Sequence, residues 1–160
     1  MSAAVLPAVE RSERERAVRK PPESLDAWEC YHRGLWHFSK FEPVDNKLAI
    51  DFLERAIVLD LRFAAAHGAL AEAYMTEFNL SRAQSEREAL LPRATEHARQ
   101  GIVLDPGEAR GHAALSNCLV RAGRHAEAIT EADLAVSLDP NSAMGEFRAR
   151  SCARVRRKAR

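Results

Sequence analysis

No run of this chain approaches the roughly 18 consecutive apolar residues that a membrane-crossing helix needs, so no spanning segment is expected. Cysteine is scarce and odd in number: Cys30, Cys118 and Cys152 lie far apart, without Cys-x-x-Cys spacing. That argues against a disulfide framework and for a reducing compartment. Met1 to Leu6 offers neither a positively charged start nor an apolar core, so no secretory leader is expected and the cytoplasm is the expected location. No His-Glu-x-x-His pattern is present, and His32 and His37, five apart, fall on different faces of a helix. Arg33-Gly34-Leu35 is no phosphate loop, because no glycine-rich run followed by Lys-Ser/Thr exists. Asp45, Asp51 and Glu54 suit the start of a helix, where carboxylates complement its dipole. No catalytic residue, metal ligand or cofactor is therefore expected.

An excess of one charge is also missing, since the formal net charge is only +1. The sum conceals a division. Residues 148–160 carry seven basic side chains and no acidic one, which leaves 17 basic against 23 acidic upstream, a formal −6. Nothing in that acidic body invites nucleic acid, so such contact is disfavoured there. The run Arg154-Val155-Arg156-Arg157-Lys158 is the one stretch suited to phosphate contacts, and a solvated terminus is the blander explanation. Hydrophobic residues at 46% and charged residues at 29% describe a globular chain long enough for one domain or a few helical repeats.

What is present is a repeat. Asp105-Pro106 and Asp139-Pro140 stand 34 residues apart, each after an apolar run, Gly101–Leu104 and Ala135–Leu138. A third run, Ala56–Leu61, lies 45 residues before Asp105-Pro106, one period plus an insertion of 11. Between Ala109 and Ser142 the pattern is complete. Leu115, Cys118 and Leu119 give a first helix one apolar stripe, Gly123 suits a left-handed residue after its end, and Ala128, Ala132 and Ala135 line a second helix. Asp139 is placed to end that helix and cap another, with Pro140 at its first position.

These spacings resemble the tetratricopeptide repeat. Leu115, Leu119, Ala128, Ala135 and Pro140 occupy its signature positions in one unit, and Leu70, Ala71, Tyr74, Ala94, Gly101 and Pro106 in another. Gly34, Ala49, Leu53 and Ala56 do so in a first. The resemblance implies an all-α fold, antiparallel helix pairs stacked as a right-handed solenoid. Residues 10–75, through Glu13–Ala17, Lys20–Trp28 and Tyr31–His37, are also similar to a junction in bacterial multidomain regulators. There a class III adenylate or guanylate cyclase domain, or a winged-helix domain, precedes a TolB-like region and tetratricopeptide repeats. No counterpart of the catalytic or DNA-binding part is present, so cyclase activity is not carried over.

The expected organisation is a charged lead-in over 1–24, with a short helix at 12–20 stopped by Pro21-Pro22. Three helix pairs follow at about 25–61, 63–106 and 109–142. Residues 143–160 start a fourth repeat or a capping helix with a basic tail. Expected helices are 25–40, 46–60, 63–78, 85–104, 108–122 and 125–138. Extra residues fall at 42–46 and 76–84, as loop or helix extension, with Ser85 and Glu88 as a capping box. Such arrays need about three repeats for stability, so the chain is expected to be marginal alone, like a part cut from something larger.

In this architecture the first helix of each pair lines a concave surface, which makes a protein or peptide the expected partner. By repeat register that surface comprises Trp28, Tyr31, Leu35 and Phe38, then Ala65, Glu72 and Met75, then Arg110, Asn117 and Arg121. Aromatic residues and arginine dominate binding hot spots. The lysine–asparagine carboxylate clamp of chaperone-binding relatives is absent: Tyr31 and Leu35, then Gly68 and Glu72, hold its places. A docking module is the leading expectation. A regulatory fragment or truncated remnant of a cyclase-type signalling protein, lacking the catalytic domain, is the second, and weak nucleic-acid contact through the basic tail the third.

Overall fold

Residues 25–140 of the chain are described in a computed structural model. They form six helices and no strand: α1 Ala27–Phe38, α2 Pro43–Leu59, α3 Ala64–Leu80, α4 Gln84–Leu104, α5 Ala109–Arg121 and α6 His125–Leu138. α1 packs on α2, α3 on α4 and α5 on α6; α2 meets α3, α4 meets α5, and α3 also touches α5. The helix expected at 12–20, the closing segment 143–160 and the basic run 148–160 lie outside the described residues.

Local chemistry sets the boundaries. Asp26 opens α1 with a reciprocal cap: its side chain accepts the Glu29 N–H at 2.8 Å and the Glu29 carboxylate accepts the Asp26 N–H at 3.1 Å. Such a cap stabilises a helix by about 1 kcal/mol. Gly123, at φ 76°, closes α5: the Arg124 N–H returns to the Leu119 carbonyl at 2.9 Å, the left-handed ending its glycine implied. Asp60 and Asp105 act differently from the helix cap assigned to Asp139. Their carboxylates accept the N–H two residues on, at Arg62 (3.0 Å) and Gly107 (2.9 Å), and so fold the turn between pairs. Leu61 stands where proline would, and Asp60 makes the same turn there as Asp105 does before Gly107.

The extra residues become helix, not loop. α2 has 17 residues against 14 in α6, so 43–45 add a first turn, with Pro43 where its missing N–H costs nothing. α3 is four residues longer than α5 (17 against 13), and α4 seven longer than α6 (21 against 14), which accounts for the whole insertion of eleven. Counted from Ala64 and Ala109, α5 ends level with Thr76, so Glu77–Leu80 is an added turn of α3. The Ser85–Glu88 capping box does not form. α4 already begins at Gln84, and Ser81 closes the loop instead, bonding the Glu86 carboxylate and accepting the Ala83 N–H at 3.2 Å.

The core is built from the repeat positions. Ala49, Leu53, Ala56, Leu70, Ala71, Tyr74, Ala94, Ala128 and Ala135 are all buried. Polar side chains tie the helices: Glu54 of α2 and Arg93 of α4 both bond the Tyr74 hydroxyl, and Asn46 donates to the Ala73 carbonyl (3.2 Å) and Glu77 (2.9 Å). Burial, then the Glu54 bond, pushes the Tyr74 hydroxyl pKa well above its usual range. Histidines serve the same structural end. His112 bonds Glu131 (2.7 Å) and the Pro106 carbonyl (3.0 Å), while His67 and His97 share an Nδ1–Nδ1 contact of 3.0 Å. Burial likewise raises the Cys30 and Cys118 thiols, which therefore stay protonated and inert.

α3 and α5 approach each other closely at Gly68. A Cβ on Gly68 would stand 3.0 Å from the Gly111 nitrogen and 3.2 Å from the Arg110 carbonyl carbon, both backbone atoms that cannot turn aside. Gly68→Ala should therefore cost about 1–3 kcal/mol as the helices part, measured by urea unfolding; an unchanged midpoint would show that the contact is slack.

The histidine pair gives a second expectation. Desolvation lowers both pKa values below 6.5, and Arg93 and the other imidazole push His97 down further against Glu96 and Glu54. The unfolded chain then binds protons more readily than the fold, so stability is complete above about pH 6.5 and declines as pH falls towards the folded values. Thermal melting from pH 7.5 to 5 should show this decline, and the His67→Gln/His97→Gln double variant should flatten it.

Candidate functional site

The inner faces of α1, α3 and α5 enclose a groove of about 700 Å³. Its floor is apolar: Tyr31 of α1 and Met75 of α3 are buried there, with Ala113 of α5 beside them and Phe38 half-buried at the edge. α1 presents these residues because Glu29, Tyr31 and Leu35 are fixed inward by its cap and by the aromatic cluster of Trp28, Tyr31 and Phe63.

The walls are polar. Arg110 Nη1 meets Glu72 Oε2 at 2.6 Å across the α3–α5 seam, with both side chains only about a third exposed or less. Burial pushes the Glu72 carboxyl up from the usual carboxylate range and Arg110 pulls it part of the way back, while Glu72 holds the guanidinium firmly protonated. Further along, Arg121 Nη2 donates to Asn79 Oδ1 at 2.8 Å, and Asn117 lies exposed one turn before it. Among the described residues no cluster of three or more His, Cys, Asp or Glu side chains is placed to hold a metal ion. Asp45 of the suggested acidic group is engaged by Lys40 (2.8 Å) and His37 (2.6 Å), which hold its carboxyl below the usual range.

Seven of the register-derived residues line this groove: Tyr31, Phe38, Glu72, Met75, Arg110, Asn117 and Arg121. Trp28 and Leu35 do not. Trp28 stacks on Phe63 at 5.8 Å and 11° between planes, and Leu35 is buried in the core cluster; Ala65 packs against that cluster too. The register marks an inner helix face but not which of its residues turn to a neighbouring ring, as Trp28 does while staying 45% exposed. Phe41, Thr76 and Asn79 line the groove without having been expected. Phe41 belongs to the loop after α1 and Asn79 to the added turn of α3, so periodicity carried no signal for them, whereas Thr76 stands level with Arg121 and could have been found from its register.

Phe41 is unusual on two counts. It is 84% exposed, and its φ of 57° is left-handed, which costs a side-chain-bearing residue about 1–2 kcal/mol. Little packing offsets this cost; the nearest ring, Phe38, lies 6.4 Å away.

No family model matches the chain, and no curated protein matches it. Solved structures do. The first TPR of Spaghetti (RPAP3), bound to the HSP90 peptide SRMEEVD, superposes with a TM-score of 0.58 at 15% identity, covering 81% of this chain and 92% of that one. YrrB, described as a TPR protein with an unusual peptide-binding site, gives 0.57 at 16% identity over 91% of this chain and 69% of that one. The Yersinia enterocolitica type III secretion chaperone SycD, in complex with a peptide of the translocator YopD, gives 0.51 at 21% identity, covering 75% and 82%. The fold is thus the antiparallel helix-pair solenoid of tetratricopeptide-repeat proteins.

Phe41→Gly should relieve the strained dihedral and stabilise the chain by about 0.5–1 kcal/mol, after the entropic cost of glycine. Thermal melting checks this; a lower midpoint would mean that the ring packs more firmly than its exposure implies.

Proposed function

We propose that the chain is a protein-docking module whose groove holds an extended segment of another protein. The observation that carries this reading is the groove itself: an apolar floor of Tyr31, Met75 and Ala113 between polar walls on three successive inner helices. Large aromatic side chains beside arginine are the composition that dominates binding through a few anchors. The peptide complexes of RPAP3 and SycD, which share the fold, support the same use of it.

A second reading rests on residues 10–75. Their resemblance to the junction in bacterial cyclase-type and winged-helix regulators supports reading the module as a docking part of a cytoplasmic signalling protein. The buried free thiols Cys30 and Cys118 suit a reducing compartment. Coding sequence for either domain in frame beside this one supports that placement, and flanking sequence without it rejects it.

Groove binding is tested with a displayed library of random 12-residue peptides selected on the full chain. Asn117 is exposed on α5, so Asn117→Trp fills the groove without touching the core. Selected peptides should bind this variant at least tenfold more weakly, by fluorescence anisotropy, with the melting temperature unchanged. Peptides that bind both proteins equally would place their site elsewhere.

A further inference from the structure

The chain leaves each helix pair by the same turn. Asp60, Asp105 and Asp139 follow α2, α4 and α6 with φ −143°, −147° and −136° and ψ 97°, 101° and 87°. Each of their N–H groups returns to the carbonyl four residues back, at 3.0, 2.9 and 3.0 Å. The first two turns lead into α3 and α5, whose first residues, Ala64 and Ala109, stand four after the aspartate. Ala143 stands four after Asp139, and Asp139-Pro140-Asn141-Ser142-Ala143-Met144-Gly145 keeps the Asp-Pro-x-x-Ala-x-Gly pattern of residues 105–111. Ser142 falls level with Glu108, which caps α5, and serine is among the strongest caps. Residues 146–155 contain neither proline nor glycine, so nothing in them breaks a helix.

The third pair also lacks the cover that the second has. Counted from Ala64 and Ala109, Met75 of α3 and Val120 of α5 stand level, yet Met75 is 4% exposed and Val120 47%. Ala98 of α4 is fully buried, whereas Ala132, 34 residues on in α6, is only partly so. The difference is α5, which packs on both α3 and α4. Gly111 lets it come close: a Cβ there would stand 3.1 Å from Ile102 Cγ1 and 3.5 Å from the Ala98 carbonyl oxygen. Val136 and Ala132 hold the corresponding places on α6, and Gly145 follows Gly111 at the same interval of 34.

We infer that residues 143–155 form a seventh helix, the inner helix of a fourth repeat, seated on α5 and α6 with Gly145 against Ala132 and Val136. Covering Val120 removes apolar surface from water, as α5 does for Met75. The helix brings Met144, Phe147 and Ser151 to the places that Arg110, Ala113 and Asn117 hold in α5, all three of which line the groove. It thereby lengthens the groove by one helix, and this part rests on the docking function proposed above. Cys152 takes the place of Cys118, which is buried. One position fits less well: Arg148 replaces Ala114, which is buried with Ala71 and Ala98. A guanidinium is not enclosed there without a partner, so the seventh helix rides further out than α5 does on its own pair.

Labelling of the full chain with N-ethylmaleimide, followed cysteine by cysteine in a mass spectrometer, tests the seat. Cys30 and Cys118 are buried, so their slow reaction in every variant reports that the six helices are intact. Cys152 should react about tenfold more slowly in the wild-type chain than in Gly145→Leu, whose side chain is too large for the contact. Arg148→Ala should slow it further. Equal Cys152 rates in wild type and Gly145→Leu, whether fast or slow, overturn the seventh helix, and an Arg148→Ala rate that does not fall overturns its register. For the groove, library peptides weakened by Asn117→Trp should bind Phe147→Ala about fivefold more weakly. Equal binding, with Cys152 protected, overturns the lengthened groove and leaves the helix standing. A library yielding nothing sensitive to Asn117→Trp removes the docking reading and the lengthened groove together, while the thiol rates still decide the helix.

Discussion

Backbone-to-backbone contact between α3 and α5 governs the rest of the molecule. At Gly68 of α3 a methyl group would crowd the main-chain atoms of Arg110 and Gly111 in α5. Helices usually sit 8–10 Å apart with side chains between them; here the gap closes, and consecutive inner helices lie side by side. That adjacency brings Glu72 within reach of Arg110 and Asn79 within reach of Arg121. It also leaves Met75 and Ala113 as a continuous floor rather than two separate stripes. The alanines Ala94, Ala98, Ala128 and Ala135 do for the outer helices what Gly68 does for the inner pair.

The insertion follows a simple physical preference. Eleven extra residues placed as a loop would leave their backbone groups to water and gain no packing. Placed at the facing ends of an existing helix pair, every added residue continues a hydrogen-bond ladder already nucleated. Phe78 and Leu90 then gain partners in the neighbouring core. The loop itself stays at three residues, 81–83, the same length as the 122–124 connection of the regular pair.

Much of this was legible in the sequence, because the repeat constrains the interior. Ala49, Leu53, Ala56, Leu70, Tyr74, Ala94, Gly101, Ala128 and Ala135 are fixed by spacing, and each is buried. Gly123 announced its own left-handed turn. Register located most of the groove for the same reason, since it fixes which helix face turns inward. It failed at Trp28, where Phe63 from the next connection supplies a stacking partner that no local pattern encodes. It was silent on Phe41 and Asn79, one in a loop and one in residues outside the period. The length of the insertion was evident, but its conformation depended on packing against α2 and α5, a tertiary fact.

The lengthened α3 and α4 have a geometric consequence of another kind. Four and seven added residues, at 1.5 Å of rise each, carry the 81–83 tip about 6–10 Å beyond the level of the equivalent loop at 122–124. A broad, flat surface brought against that edge would strike the tip and rest there, clear of the third pair. Only a narrow body, or one with a notch to admit the tip, reaches both pairs together. The central pair thus acts as a gauge for the shape of whatever approaches, before any charge or side chain is compared.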